Sequence, residues 1–136
     1  MPTNTPGSAA RAYYHSQTHY LVSRTITVAD FNGAQVFMGI LPAGAVVVRA
    51  GAVVPTAFNY ATTNRFNVGT PATPNLVASN VSLAAAAVAA GTINMPNGGV
   101  MTADAPIYAT LDLTGTAGNA GSATAFIEYL VPQGPT

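Results

Sequence analysis

The sequence predicts an all-β protein: an antiparallel β-sandwich or jelly roll with an extended N-terminal arm and at most one short alanine-rich helix. Two observations predict this fold. Apolar and β-branched residues come in short bursts, most of them of period two, and turn residues such as Pro, Gly and Asn separate the bursts into six or seven strands. The 136 residues suffice for one domain, which we place at residues 18–136 behind an arm of residues 1–17.

Three strands are predicted in the first part of the domain. Residues 20–29 alternate, and the predicted apolar face comprises Tyr20, Val22, Ile26 and Val28. Asn32 and Gly33 are a favoured hairpin pair, and they lead into strands at residues 34–41 and 45–54. These last two strands are apolar on both faces, which in a small antiparallel protein indicates that a neighbouring subunit supplies the second cover.

The middle of the chain is richer in turn residues. A short strand is predicted at residues 65–69, with Phe66 and Val68 inward, and a loop at residues 71–80. Residues 82–90 are mostly alanine and favour a short helix, although nine residues form a marginal helix without packing. A brief strand is predicted at residues 92–95.

The clearest strands come last. In residues 107–113 the inward set is Ile107, Ala109, Leu111 and Leu113, and in residues 123–131 it is Ala123, Ala125, Ile127, Tyr129 and Val131. Residues 115–121 are predicted to join the two strands as a flexible hairpin loop.

Charge is scarce. The chain has four arginines, no lysine, four acidic residues and no cysteine, so charged residues make up 6% of it, against about a quarter in an ordinary domain. A free monomer of zero net charge is prone to associate, and we therefore expect much of the surface to be covered by copies of the chain or by a larger assembly. The zero net charge argues against nucleic acid as a partner, and neither a membrane span nor a secretory signal is visible.

No catalytic set, cofactor site or metal site is predicted. His15 and His19 are four residues apart but have no acidic or thiol ligand nearby, so we expect them to pack in the arm. Asp112 and Glu128 suggest a carboxylate pair. A hairpin turning about Gly118 puts Glu128 opposite Tyr108 and roughly 13 Å from Asp112 at about 3.3 Å per residue, beyond the spacing of about 5–9.5 Å in glycosidases. The chain has no nucleophile elbow or phosphate loop, so it is predicted not to be an enzyme.

The remaining candidates are contact residues. Arg24 and Arg49 interrupt apolar strands, where arginine suits an interface ion pair with a carboxylate; exposure at a sheet edge is the alternative. A further set of aromatic residues with two neighbouring amides suits either interface anchors or a sugar-binding platform: Tyr13, Tyr14, Tyr20, Phe58, Tyr60, Asn59 and Asn64.

Four runs of sequence resemble small virion proteins of tailed bacteriophages. They are FMGILPAGAVVV at residues 37–48, VPTAFN at 54–59, FNVGT at 66–70 and TAGNAGSATAFIEYL at 116–130. Proteins of this kind act as head decoration, or cement, proteins. The resemblance, over about residues 34–131, implies a β-sandwich or jelly-roll core, self-association (often as trimers) and attachment to the major capsid protein. It carries no catalytic residues.

The predicted function is therefore a structural virion protein that decorates and stabilises a phage capsid as a homo-oligomer on its outer surface, after synthesis in the bacterial cytoplasm. From the composition of the arm we expect capsid contacts at Tyr13, Tyr14, His15, His19 and Tyr20. Subunit contacts are expected at Arg24, Phe37, Arg49, Asp112 and Glu128. A head-fibre, neck or tail component and a host-glycan-binding module are the alternatives.

Overall fold

Nine β-strands form over residues 18–30, 32–95 and 100–131, which are the residues described by the structure, a computed structural model. These ranges contain no helix. The strands are β1 (Thr18–Thr27), β2 (Gln35–Leu41), β3 (Val46–Thr56), β4 (Thr63–Gly69), β5 (Ala78–Ser82), β6 (Val88–Ala90), β7 (Thr92–Ile93), β8 (Ala105–Thr114) and β9 (Ser122–Leu130). The predicted arm, residues 1–17, lies outside the described residues, so the division into arm and domain stays a prediction.

The strands form two antiparallel sheets that pack face to face. The first sheet has the order β1-β9-β3-β6 and the second the order β2-β8-β4-β5-β7. Early strands pair with late ones, β1 with β9, β2 with β8 and β3 with β6, and the chain changes sheets after each of β1, β2 and β3. This is the jelly-roll topology, in which a long antiparallel ribbon is rolled into a sandwich. The predicted fold class is confirmed.

The core lies between the sheets and follows the predicted alternation best in β4, β8 and β9. From β8 it takes Ile107, Ala109, Leu111 and Leu113, from β9 Ala123, Ala125 and Ile127, and from β4 Phe66 and Val68, all buried. Each fully buried large apolar side chain contributes roughly 1.5–3 kcal/mol relative to exposure. The two inner faces are therefore joined by one continuous apolar core.

β-Bulges change the face on which residues of β1, β2 and β3 lie. The register slips between Val22 and Thr25, between Phe37 and Gly39, and between Val47 and Arg49. A bulge inserts one extra residue, so the alternation reverses beyond it. The predicted shared face of Val22 and Ile26 is therefore wrong, because Val22 is exposed and Ile26 is buried.

The second strand is not covered on both faces within the chain. In β2, Val36, Met38 and Leu41 are buried, whereas Phe37 and Ile40 are each 51% exposed. The outer side of β2 is thus apolar, as predicted, and in the single chain it is exposed. Whether a neighbouring subunit covers it stays a prediction.

The two predicted hairpins are instead connections between the sheets. Asn32 and Gly33 lead from β1 in the first sheet to β2 in the second, and the Asn32 Oδ1 atom accepts a hydrogen bond of 2.9 Å from the backbone N–H of Leu113. Residues 115–121 likewise lead from β8 to β9 across the sandwich. Glu128 accordingly lies opposite Tyr20 and Arg49, and its predicted place opposite Tyr108 is wrong.

The predicted alanine-rich helix does not form. Residues 84–87 are bends, and Val88–Ala90 is strand β6, paired with the edge of β3. Leu83 is fully buried, its N–H donates to the Asn64 carbonyl at 2.9 Å and its carbonyl accepts from Phe58 N–H at 2.8 Å. Packing and pairing across the sandwich outweigh the helix propensity of alanine in so short a segment. β5 also begins at Ala78, within the stretch predicted as loop.

Candidate interface on the outer face of the first sheet

The outer face of the first sheet carries a cluster of exposed apolar side chains. Three cross-strand rows build it: Tyr20, Glu128 and Arg49; Val22, Phe126, Gly51 and Ala90; and Thr25, Thr124, Val53 and Val88. This cluster surrounds a hollow of about 380 Å³. We use the name apolar face for the seven residues that line the hollow, namely Tyr20, Val22, Arg49, Val53, Val88, Thr124 and Phe126. Contiguous apolar patches on a soluble chain mark sites of interaction.

Gly51 lies at a close contact between β3 and β6. It lies in the middle row between Phe126 on β9 and Ala90 on β6. A Cβ atom at Gly51 would collide with the backbone carbonyl oxygen of Ala89. The close pairing of β3 with β6 therefore requires glycine there.

The charges on this face are paired with each other. The Tyr20 hydroxyl donates a 2.8 Å hydrogen bond to Oε2 of Glu128, and Nη2 of Arg49 lies 3.8 Å from the same oxygen. The Arg49 guanidinium also lies over the Phe126 ring, 5.2 Å from its centroid, in a cation–π contact. The hydrogen bond to Glu128, and then the negative charge of that carboxylate, raise the pKa of Tyr20. The row is thus neutral overall but polar along the sheet.

The outer face of the second sheet is more polar. Its central row joins Gln35, Thr110 and Asn67 on three neighbouring strands, and the next row carries the ion pair of Arg65 Nε with Asp112 Oδ2 at 2.7 Å. At one end, the rings of Phe37 and Tyr108 pack with their centroids 5.3 Å apart. The two outer faces of the sandwich therefore offer different chemistry.

Arg24 belongs to neither sheet face. Its guanidinium binds Asp30 through two hydrogen bonds, Nη1 to Oδ2 at 3.0 Å and Nη2 to Oδ1 at 2.6 Å, and so braces the turn after β1. The hydrogen bonds from Arg24 lower the pKa of Asp30, and one from the backbone N–H of Thr27 adds to this against the opposing effect of burial.

The predicted subunit-contact residues are spread over several places. Arg49 and Glu128 lie together on the first sheet, whereas Phe37 and Asp112 lie on the outer face of the second and Arg24 on the turn. Each of the three described arginines has an acidic partner within the chain, namely Asp30, Glu128 or Asp112. Ion pairing between subunits therefore stays a prediction.

The predicted capsid-contact residues are described only in part. Tyr13, Tyr14 and His15 lie outside the described residues. His19 is exposed near the start of β1, where its ring packs on Tyr129 with the centroids 5.5 Å apart. Tyr20, by contrast, is bonded to Glu128, so it shares one surface with two of the predicted subunit contacts.

The predicted sugar-binding platform is not formed by the described aromatic residues. Phe58 is only 2% exposed and belongs to the core, which Tyr60 also contacts, whereas Tyr20 lies on the apolar face. The amides of Asn59 and Asn64 are occupied by hydrogen bonds that hold loops. Phe58, Asn59, Tyr60 and Asn64 therefore act in folding. Tyr13 and Tyr14 lie outside the described residues, so a platform that includes them stays a prediction.

The described ranges contain neither a metal-ligand cluster nor a membrane-spanning helix. No three His, Cys, Asp or Glu side chains come together there as a metal would require, and no helix in those ranges has the length and apolar content to cross a bilayer. His15, one of the two histidines considered above, lies outside those ranges.

Several residues of the apolar face were not anticipated from the sequence as interface residues. Val53, Val88 and Phe126 meet on it only because β9 lies between β1 and β3, with β6 beyond β3. Phe126 alternates with the buried residues of β9, which is the one sequence signal that it faces outward. Nothing in the local sequence indicates that Val88 joins it.

The fold and this surface together define a jelly-roll sandwich with one apolar outer face. No protein-family model and no curated protein sequence matches the chain. Among solved structures, it is similar to a chain of the cyanophage Pam1 capsid asymmetric unit, with a TM-score of 0.56, 17% sequence identity and coverage of 86% of each chain. At this level of identity the similarity shows a shared fold.

Proposed function

We propose that the protein is a non-enzymatic structural component of a bacteriophage particle. It binds the outer surface of the major capsid protein lattice as a homo-oligomer, with a trimer favoured, and stabilises the shell. The observation that carries the proposal is the apolar face, an exposed apolar surface on a chain in which only 6% of residues are charged. Such a surface suits permanent burial in an assembly better than exposure as a free monomer.

Two further observations support a role in a virion. The jelly roll is shared with a chain from a cyanophage capsid asymmetric unit, and jelly rolls are common in viral capsids. The sequence runs that resemble decoration proteins include most of β2, part of β4 and all of β9. On a lattice, many weakly bound copies add cohesion through multivalency.

Attachment to the shell is proposed to involve the N-terminal segment and the start of β1, where His19 is exposed. Tyr13, Tyr14 and His15 supply aromatic and amphipathic groups directly before β1. Aromatic side chains of this kind are frequent anchors in interfaces.

The test is binding of the purified protein to heads of its phage that lack it, measured by co-sedimentation. The full chain is expected to bind to saturation at hundreds of copies per head and to raise the temperature at which heads release DNA. Removal of residues 2–17 is expected to leave a folded oligomer that no longer binds. Undiminished binding after that deletion would contradict the attachment role of the segment.

Copy number separates this proposal from its alternatives. The resemblance to phage virion proteins implies roughly a dozen copies per particle for a neck or tail component and hundreds for a decoration protein. Quantitative mass spectrometry of purified particles therefore distinguishes the two. Binding to a glycan array, together with no binding to heads, would instead support a host-glycan module.

A further inference from the structure

We infer that the apolar face is the surface through which copies of this chain pack against one another, with Arg49 of one copy meeting Glu128 of the next. The inference rests on the self-association in the proposed function. It makes that association a two-fold contact between identical faces, and so a dimer rather than the trimer favoured above. The occupant of the apolar face is a second copy of the chain, whereas the capsid lattice contacts another part of the molecule.

The composition of the face favours a neutral, apolar partner. Val88 is 65% exposed, Tyr20 56% and Val53 46%, and they surround Phe126 on the same surface. Arg49 is the one charged member of the face, and the Glu128 carboxylate lies beside it in the same row, so the two charges together sum to zero. An identical face satisfies both requirements, and copies of a chain of zero net charge have little electrostatic repulsion to overcome.

Arg49 and Glu128 are placed so that each can pair with the opposite charge of another copy. Arg49 lies 3.8 Å from Glu128, beyond hydrogen-bond distance, and within the described ranges its guanidinium makes no hydrogen bond. The Glu128 Oε2 atom accepts the hydrogen bond from Tyr20, and the other carboxylate oxygen has no donor in those ranges. The acid lies towards the β1 edge and the base towards the β6 edge. The basic half of one face therefore complements the acidic half of another.

The shape of the face also suits a second copy. The hollow of the apolar face is flanked by exposed side chains on the two edge strands, Tyr20 on β1 and Val88 on β6. A projecting side chain of one copy can enter the hollow of the next. Packing of this kind excludes water from the charged row and strengthens the exchanged ion pair.

The area of the apolar face is that of the central part of an interface between two copies. Four strands about 4.8 Å apart and three rows about 7 Å apart cover roughly 400 Å². Stable interfaces bury about 800 Å² on each partner, so the apolar face supplies about half of that area. It would then be the apolar core of the interface, surrounded by a polar rim from neighbouring residues.

The first experiment compares two matched substitutions by sedimentation equilibrium over a range of concentrations. Val53→Asp places a charge on the apolar face, whereas Ile40→Asp places one on β2, at a position 51% exposed outside that face. Val53→Asp is expected to raise the dissociation constant about tenfold or more, because the carboxylate would be desolvated in the contact. Ile40→Asp is expected to leave it unchanged, because the inference places the contact on the apolar face and not on the outer side of β2.

A second measurement does not depend on a disruptive substitution. The chain has no cysteine, so Val88→Cys and Ile40→Cys each introduce a single thiol. A short bismaleimide is expected to link copies of Val88→Cys into covalent dimers at a concentration where Ile40→Cys stays unlinked. This comparison decides the question if Val53→Asp does not fold.

The outcomes separate this inference from the proposed function. Oligomers that persist in Val53→Asp, with no linking of Val88→Cys, would overturn the inference and leave capsid binding intact. A monomer at all concentrations would overturn both the inference and the proposed self-association. If wild type is monomeric and only Val53→Asp loses binding to heads, the apolar face contacts the shell, and the inference is wrong.

Discussion

The Ser23 hydroxyl takes the place of a backbone acceptor for Ala125. Its oxygen accepts a 3.0 Å hydrogen bond from the Ala125 backbone N–H, and its O–H donates one of 2.6 Å to the carbonyl of Arg24. Ser23 lies in the bulge of β1, where regular pairing with β9 is interrupted between Val22 and Thr25. The side chain thus satisfies a buried donor that the bulged backbone does not reach.

Ser23→Ala is therefore expected to destabilise the fold by about 1–3 kcal/mol, because it leaves the N–H of Ala125 buried and unpaired. Urea unfolding followed by circular dichroism measures the change. Ser79→Ala is the control. Ser79 is a half-buried strand residue, and its hydroxyl has no hydrogen bond within the described part of the chain. The control substitution is expected to change the free energy of unfolding by less than about 0.5 kcal/mol. Equal effects of the two substitutions would show that the hydroxyl has no special role.

Asn59 holds the connection from β8 to β9 against the loop before β4. Its Oδ1 accepts from the backbone N–H groups of Asn119 and Ala120 at 2.9 and 3.0 Å, and its Nδ2 donates to Oδ1 of Asn119 at 2.8 Å. Asn59→Ala is expected to cost about 1–2 kcal/mol, since each such bond contributes about 0.5–1.5 kcal/mol. Faster hydrogen exchange at Asn119 and Ala120 is the direct measurement.

Asn75→Ala is the matched control for Asn59. Asn75 is exposed in a loop, and within the described residues its side chain makes no hydrogen bond, although its carbonyl accepts one from Asn94. Its substitution is expected to leave exchange at residues 119 and 120 unchanged. Unchanged exchange in Asn59→Ala as well would mean that other contacts hold this connection.

The sequence predicted strands best where no bulge interrupts them. In β8 and the first part of β9, alternation from Ile107 and from Ala123 gives the buried face correctly. In β1 and β3 a bulge reverses the alternation, so Val22 and Val48 lie outward. Period-two patterns contain no signal for an inserted residue, because a bulge is set by pairing with a distant strand.

The candidate site was predicted less completely, for a topological reason. Arg49 and Glu128 were both anticipated as contact residues, but their proximity depends on β9 lying beside β3. Local turn chemistry favoured hairpins at Asn32–Gly33 and at residues 115–121, whereas both segments cross between the sheets. Turn residues show where the chain changes direction but not which strand it pairs with next.

The ion pair of Arg24 with Asp30 makes stability depend on pH at the acidic end. The folded pKa of Asp30 lies below its unfolded value of about 3.9, so below about pH 5 the unfolded state begins to bind more protons than the folded state. The stabilisation is present above that range and is lost as pH falls through the folded pKa. Thermal melts should show Asp30→Asn less stable than wild type at pH 6, with the difference shrinking as pH falls towards 2.

Arg24→Gln provides the control for this pH dependence. Because both Asp30 oxygens are bonded to Arg24, Arg24→Gln is expected to remove most of the same pH-dependent stabilisation. The double variant should then add little to either single one. Additive effects, or a difference at pH 6 that persists at pH 2, would assign the pH dependence to other carboxylates.

Tyr20 is expected to titrate above its ordinary pKa of about 10, because the bond to Glu128 and the charge of that carboxylate favour the protonated phenol. NMR titration of the tyrosine Cζ resonances measures it, and Tyr20→Phe identifies the signal by its loss. Glu128→Gln should move the pKa of Tyr20 back towards 10. Since the folded pKa is the raised one, the stabilisation is complete below pH 10 and is lost as pH rises through the folded pKa. A Tyr20 resonance that titrates normally in wild type would contradict the bond.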